Sequence, residues 1–162
     1  MNKLFIYWVT VLLGAAFLVG GLFVAYQGWH TRTEMVEDLS NERLMVQDPS
    51  ILLTYEGARA PEGVEVPEVL IDTSMEADAQ ARVIRTHVLG ITEGKTYSEM
   101  DREDPARATY LSAVTLETAL HLAHTGLELS LFVIGVGVAF VGIGAGILVL
   151  GLPLVNKVLS LK

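Results

Sequence analysis

The stretch LSLFVIGVGVAFVGIGAGILVLGLPLV, residues 129–155, contains no charged side chain over 27 positions. An α-helix rises about 1.5 Å per residue, so a helix of this length is longer than the hydrocarbon layer of a bilayer, about 30 Å. A second uncharged stretch, LFIYWVTVLLGAAFLVGGLFVAY, covers residues 4–26 and has aromatic side chains near both ends, as helices with two interfacial ends do. The sequence therefore predicts a mainly α membrane protein with two transmembrane helices.

The charged residues lie almost entirely between these two stretches. The chain has 162 residues, of which 51% are hydrophobic, and its formal net charge is −8. All 19 acidic residues and eight of the basic ones fall between Arg32 and Glu128, which gives this region a net charge of −11. This pattern excludes a wholly soluble domain and a multi-span transporter. It also argues against nucleic-acid binding, which needs a basic surface.

The chain divides into three predicted parts: an N-terminal signal anchor at 1–28, an acidic extracytoplasmic module at 29–126, and a second transmembrane helix with a short tail at 127–162. An uncleaved anchor is favoured over a cleaved signal peptide, whose apolar core would be about 7–15 residues followed by a small-x-small site. Lysines flank the outer ends of both spans. We therefore expect both termini in the cytoplasm of a bacterial cell and residues 28–128 outside it.

The module is predicted to be helical at about 30–46, 73–92 and 105–126. Thr73 and Glu76 have the spacing of a capping box, and Asp104-Pro105 is a typical helix start. Since no further proline occurs before Pro153, the last helix is expected to continue into the second span as one long helix that projects from the bilayer. Two runs rich in β-branched residues, 51–55 and 64–72, can form a short hairpin.

Small residues follow two regular spacings in the second span. Gly137, Gly144 and Gly151 recur every seven residues, and a second row with spacings of four, three and four contains Gly135, Ala139, Gly142 and Gly146. The first span offers small positions at Gly14, Ala16, Gly20, Gly21 and Ala25. Small residues let membrane helices approach closely. Two interpretations stay open: the two spans pack on each other, or one row meets another chain, which is another membrane protein or a second copy.

Four polar residues just before the second span share one helical face. Glu117, His121, His124 and Glu128 have spacings of four, three and four. Two imidazoles and two carboxylates can bind Zn²⁺, Fe²⁺ or Mn²⁺, with His30 or His87 or a second subunit completing the site. Protonation of the histidines can also make the face respond to pH. The alternative is a solvated polar stripe without a ligand.

Three further features of the sequence do not predict a nucleotide site, a calcium site or a cysteine-based site. The segment 90–96 resembles a phosphate loop but has three residues between its glycines where a P-loop has four, and it follows a helix, so nucleotide binding is not expected. The acidic run Glu99, Asp101, Glu103 and Asp104 lacks the order of a calcium loop and is explained by helix capping. With no cysteine in the chain, disulfides, thiolate metal sites and cysteine nucleophiles are excluded.

Residues 79–120 read AQARVIRTHVLGITEGKTYSEMDREDPARATYLSAVTLETAL. The pattern A-Q-A-x-x-I-x-x-H, then G-K-T-Y-x-E-[LM], then R-E-D-P-x-R resembles uncharacterised two-span membrane proteins of actinobacteria and related bacteria. Some members carry the label aromatic ring-opening dioxygenase. The resemblance implies a fold and a membrane location. It implies no catalytic residues, because His121 and His124 lie outside the pattern.

Taken together, these features predict a non-enzymatic accessory, scaffold or interaction subunit of a membrane assembly, with no cofactor. The alternative function is a metal- or pH-responsive membrane sensor built on the Glu/His/His/Glu face.

Overall fold

The computed structural model describes residues 3–48, 50–51 and 69–160. The protein is mostly helical (81%) and has two long apolar helices that could span a membrane. Its elements are α1 (Lys3–Asn41), β1 (Met45–Val46), β2 (Val69–Leu70), α2 (Ser74–Ile91), α3 (Ala106–Gly146), a π-helical turn (Ile147–Gly151) and α4 (Leu152–Ser160). The chain forms two compact units. One contains α1 up to Arg32 together with the chain from Leu129 onward, and the other is Thr33–Glu128.

In the first unit, α1 and α3 approach each other so closely that their backbones touch. A Cβ built on Gly21 would lie 2.7 Å from the carbonyl oxygen of Gly137, and one built on Gly144 would lie 2.7 Å from the carbonyl oxygen of Gly14. Both distances are shorter than real Cβ contacts, so only glycine fits there. We call this contact the glycine seam; its three pairs are Gly14 with Gly144, Gly21 with Gly137, and Gly28 with Ser130.

The seam has an antiparallel, seven-residue register. Residue numbers rise along α1 where they fall along α3, and neighbouring pairs are seven residues apart on both helices. A seven-residue repeat keeps the same helix face in contact if the two helices wind gently around each other. The two long apolar helices therefore pack on each other through one row of small residues.

The glycine seam predicts different effects for two glycines of the same helix. Gly137→Ile should lower the free energy of unfolding in detergent micelles by about 1–3 kcal/mol relative to Gly135→Ile, because its side chain collides with the backbone of α1. A Cβ at Gly135 meets nothing within 4 Å, so Gly135→Ile is the matched control. Equal unfolding free energies for the two variants would contradict the seam.

The end of α1 differs from the predicted helix at about 30–46. The helix ends at Asn41, and Met45 and Val46 form a strand. Arg43 has a φ of 50°; its N–H donates to the carbonyl of Ser40 at 3.0 Å, and the next N–H donates to that of Leu39. This is a Schellman motif, which turns the chain so that Val46 enters the core. The prediction was wrong here because no glycine marks the turn.

Arg43 carries a left-handed conformation that costs a residue with a Cβ about 1–2 kcal/mol. Arg43→Gly should therefore raise the free energy of unfolding by about 1 kcal/mol in a denaturant titration followed by circular dichroism. Asn41→Gly, inside the last turn of α1, is the control and should lower it. A stability loss in Arg43→Gly comparable to that of the control would show that the turn does not impose this conformation in solution.

The strand pairing also corrects the predicted hairpin. Val69–Leu70 pairs antiparallel with Met45–Val46, and Ile51 is helical. Residues 52–68, which include the rest of the run 51–55 and the start of the run 64–72, lie outside the described part of the chain. The pairing brings Val46 and Ile71, both fully buried, into one core with Leu120.

Helices α2 and α3 begin where the sequence predicts. Thr73 and Glu76 form a reciprocal capping box at the start of α2, and the Asp104 carboxylate accepts from the N–H of Ala106 at the start of α3. Gly94, with a φ of +80°, closes the turn after α2 by donating its N–H to the carbonyl of Leu89 at 2.7 Å. The buried alanines and Ile84 of α2 pack in the core with Leu120 and Ala123 of α3.

Helix α3 runs without a break from Ala106 to Gly146, as the predicted long helix requires. Gly126 lies inside it, and a Cβ there would meet the thioether of Met35, 2.8 Å from its sulfur. The chain then widens into a π-helical turn before Pro153. Proline lacks an N–H and its ring collides with the carbonyl four residues earlier, so a wider turn in front of it relieves this collision.

Candidate functional site

The polar face Glu117, His121, His124 and Glu128 holds α2 against α3. His124 lies with Nδ1 2.9 Å from the carbonyl oxygen of Ser74, the first residue of α2. Since a carbonyl only accepts, the imidazole donates from Nδ1. The hydroxyl of Ser74 donates to the Glu128 carboxylate. These two bonds fasten the N-terminal end of α2 to α3.

His121 lies between two carboxylates that come from different helices. Its Nδ1 is 3.8 Å from Asp78 of α2, and its Nε2 is 3.7 Å from Glu117 of α3. The side chains of Asp78 and Glu117 are only 15% and 16% exposed. Each also faces an arginine of α2: Asp78 lies 2.9 Å from Arg82, and Glu117 lies 3.5 Å from Arg85. Carboxylates therefore alternate with nitrogen-bearing side chains across the interface between α2 and α3.

Arg85 extends this network to a second group of buried side chains, Val88, Met100 and Tyr110. Its guanidinium donates to the hydroxyl of Tyr110 at 3.2 Å, and Tyr110 packs with Val88 and Met100. The sequence did not assign this bond, because Arg85 and Tyr110 are 25 residues apart. The polar face of α3 therefore contacts α2 along its length.

Within residues 3–48, 50–51 and 69–160, no group of three or more histidine, aspartate or glutamate side chains is arranged to hold a metal ion. The two histidines considered as further ligands lie elsewhere: the His30 ring contacts that of Tyr26, and His87 lines a groove between α2 and α3. The metal- or pH-responsive interpretation stays a prediction.

The groove at His87 has a volume of about 360 Å³. Its walls are mostly apolar, with Ile84, Val88 and Ile91 from α2 and Ala113 and Leu116 from α3.

The second row of small residues in α3 faces away from the glycine seam. A Cβ at Gly135, Gly142 or Gly146 would meet nothing within 4 Å, and Ala139 is exposed. We call these four positions the open ridge. On the other row, a Cβ at Gly151 would make only an ordinary contact with Thr10, at 3.7 Å. The structure therefore gives the two rows different surroundings.

The positions on α1 also separate into two kinds. Gly14 lies against the side chain of Leu148, with a built Cβ 2.6 Å away, and Gly21 lies against α3. A Cβ at Gly20 would meet nothing. Gly28 was not among the predicted packing positions, yet its built Cβ would lie 2.9 Å from the carbonyl oxygen of Ser130. The seven-residue spacing from Gly14 through Gly21 was the signal that could have found it.

The segment 90–96 and the acidic run each form local hydrogen bonds at a helix end or a turn. Segment 90–96 ends α2, and the hydroxyl of Thr92 donates to the carbonyl of Lys95 at 2.7 Å. In the acidic run, the Glu99 carboxylate accepts from the N–H and the hydroxyl of Thr96, at 2.8 and 2.7 Å. The N–H bond first, and then the hydroxyl bond, lower the pKa of Glu99 below its ordinary value.

Comparisons with protein-family models, with curated proteins and with solved structures find no match to this chain. The resemblance of residues 79–120 to two-span actinobacterial membrane proteins stays a prediction.

Removing one of the two bonds to Glu99 should move its titration. Thr96→Ala deletes the hydroxyl bond and keeps the N–H bond, so the pKa of Glu99 should rise partway toward the ordinary value. Because the folded-state pKa lies below the unfolded one, this turn adds stability above the ordinary glutamate pKa. That stability is lost as the pH falls through the lowered value.

A pH titration of the Glu99 carboxyl carbon by NMR measures this directly, with Thr86→Ala, an exposed threonine of α2, as the control. An unchanged midpoint in Thr96→Ala would show that the hydroxyl does not bond to the carboxylate.

Proposed function

We propose that this protein is a two-span subunit of the bacterial plasma membrane that acts through helix–helix contacts, as a non-enzymatic accessory or scaffold of a membrane assembly. Only 11% of the most apolar window of each long helix is buried within the chain. Large side chains such as Phe23 and Phe132, 62% and 68% exposed, need an apolar medium. A lipid bilayer provides that medium over the length of both helices.

The open ridge is the observation that carries the proposal. In lipid, helices gain little from hiding apolar side chains, and small residues promote association because backbones can approach and gain van der Waals contact. Gly137 and Gly144 already serve this purpose inside the chain, where they contact α1. The open ridge has the same composition and remains available to the helix of another membrane protein or of a second copy.

The flanking charges support an orientation with both termini in the cytoplasm. Lys3 and Lys157 lie beyond the outer ends of the two spans, and no lysine or arginine occurs between residues 108 and 128. Positive residues close to a span favour the cytoplasmic side. In this orientation the acidic module at 29–126 lies outside the cell, and the N-terminal helix serves as an uncleaved anchor.

The contacts of the polar face support a structural role for the module. Glu117, His121, His124 and Glu128 bond to or face side chains and backbone of α2. These are the residues a catalytic site on this face would need free for a substrate. We therefore propose that the protein has no catalytic activity of its own.

The natural absence of cysteine allows a direct test of the open ridge. Ala139→Cys places one thiol on the ridge, and Val138→Cys, 60% exposed but outside it, is the matched control. In native membranes treated with a short thiol-reactive crosslinker, we expect an adduct at Ala139→Cys that is at least several-fold stronger than at Val138→Cys. Mass spectrometry of the adduct identifies the partner. Adding Gly142→Leu should remove it, because the leucine fills the ridge.

Equal, weak labelling at both cysteines, with or without Gly142→Leu, would contradict a specific helix partner on this face. In that case the ridge simply faces lipid.

A further inference from the structure

The groove between α2 and α3 lies where two buried clusters of the module meet. Its lining contains Ile84, from the cluster around Leu120, and Val88, from the cluster around Met100. Ala113 packs against both clusters and also lines the groove, and its side chain is a single methyl group. Because buried side chains of two helices form its floor, the groove is present before a ligand binds, as small-molecule sites usually are.

The groove has the size and the lining of a small-molecule site. Its volume of about 360 Å³ falls within the range of roughly 300–1,000 Å³ that is usual for ligand pockets, which combine apolar walls with a few polar groups. The side chains of Ile91 and Leu116 in its walls are 48% and 40% exposed. Covering such apolar surface favours binding, so the ligand that fits this groove has an apolar body.

The groove meets a second concavity at His87. This concavity has a volume of about 300 Å³, and both His87 and Asp48 line it. Gln47, which precedes Asp48, lines the groove itself. The N–H of Gln47 donates to Oε1 of Gln80 at 2.8 Å, and Gln80 is only 5% exposed. The chain at 47–48 is therefore held against α2, and a ligand in the groove can extend past His87 to Asp48.

Asp48 brings a negative charge to the second concavity. Its Oδ1 accepts from the N–H of Ser50 at 3.2 Å and also from the hydroxyl of Ser50. Among the residues that the structure describes, no group donates to Oδ2, and no lysine or arginine forms an ion pair with Asp48. The region between Arg32 and Glu128 carries a net charge of −11, and a field of this sign attracts cations and repels anions.

We propose that the groove binds a small organic cation, whose apolar body lies between α2 and α3 and whose ammonium group reaches the Asp48 carboxylate. The apolar walls favour any ligand with a suitable body, whereas Asp48 favours the positively charged one. An anion with the same body is repelled by Asp48 and by the charge of the whole region. This binding site adds a ligand to the proposed scaffold role and does not depend on that role.

NMR of the methyl-labelled, full-length protein in lipid nanodiscs tests the site. The probe is hexylammonium, and hexanol and hexanoate are the neutral and anionic compounds with the same body. Hexylammonium should shift the methyl signals of Ile84, Ile91 and Leu116 saturably, with a Kd of about 1 mM. Ile143, 48% exposed on the second apolar helix, reports partition of the probe into lipid and should show no saturable shift.

The charge of the ligand should order the three affinities. Hexanol should bind about threefold more weakly than hexylammonium, because an exposed ion pair contributes only modestly, and hexanoate should bind more weakly than hexanol. Asp48→Asn should lower the affinity for hexylammonium about threefold and leave that for hexanol unchanged. Asp101→Asn makes the same change at an exposed aspartate outside the groove. It is the matched control and should leave both affinities unchanged.

A bulky side chain in the groove should prevent binding. Ser112 is exposed on α3 and lines the groove, so Ser112→Trp places a ring there from a position outside the core. This variant should keep its circular dichroism spectrum and should lose the saturable shifts with both hexylammonium and hexanol.

Four results would overturn the proposal: no saturable shift at the three methyl positions, parallel shifts at Ile143, equal affinity for hexylammonium and hexanol, or binding that persists in Ser112→Trp. The reporting methyl groups lie in the module and not on the open ridge. A failure here therefore leaves the crosslinking result at Ala139→Cys unaffected, and the reverse also holds.

Discussion

The packing of the first unit depends on backbone-to-backbone contact between two helices. At the glycine seam the helices come closer than any pair with β-carbons can, and the contact repeats every seven residues from Gly28 to Gly14. In an apolar medium this close packing has to supply the attraction that water supplies in a soluble protein. This contact covers one face of α3 with α1, and the open ridge lies on another face of α3.

In the module, both apolar packing and polar contacts hold α2 against α3. The apolar core of α2 and α3 is built largely from alanines, with single larger side chains such as Ile84 and Leu120. Small core residues bring two helices close together but bury little area, so each contributes modestly. Hydrogen bonds that join Ser74 to the side chains of His124 and Glu128 add directional contacts at the edge of this core, where carboxylates also flank His121. The polar face thereby fixes the position of α2 along α3.

Local signals in the sequence predicted the helices well and the long-range contacts poorly. The capping box at Thr73, the start at Asp104 and the stop at Gly94 each depend on a few neighbouring residues, and each is found in the structure. The turn at Arg43 and the pairing of Val46 with Val69 depend on the core that they enter, which no local pattern encodes. For the polar face, spacing predicted that four side chains share one side of a helix. It could not distinguish ligands for an ion from bonds to a neighbouring helix, because both need the same residue types at the same intervals.

The π-helical turn at Ile147–Gly151 sets the limit of the glycine seam. A π turn closes its hydrogen bond one residue later than an α turn, so it inserts one extra residue and rotates everything beyond it by about 100°. Gly151 continues the seven-residue count of Gly137 and Gly144, yet its built Cβ is a comfortable 3.7 Å from Thr10. The sequence spaces Gly137, Gly144 and Gly151 evenly. In the structure, the π turn after Gly144 rotates Gly151 away from the close contact with α1. Helix α4 therefore begins out of phase with the seven-residue count that the two long helices share.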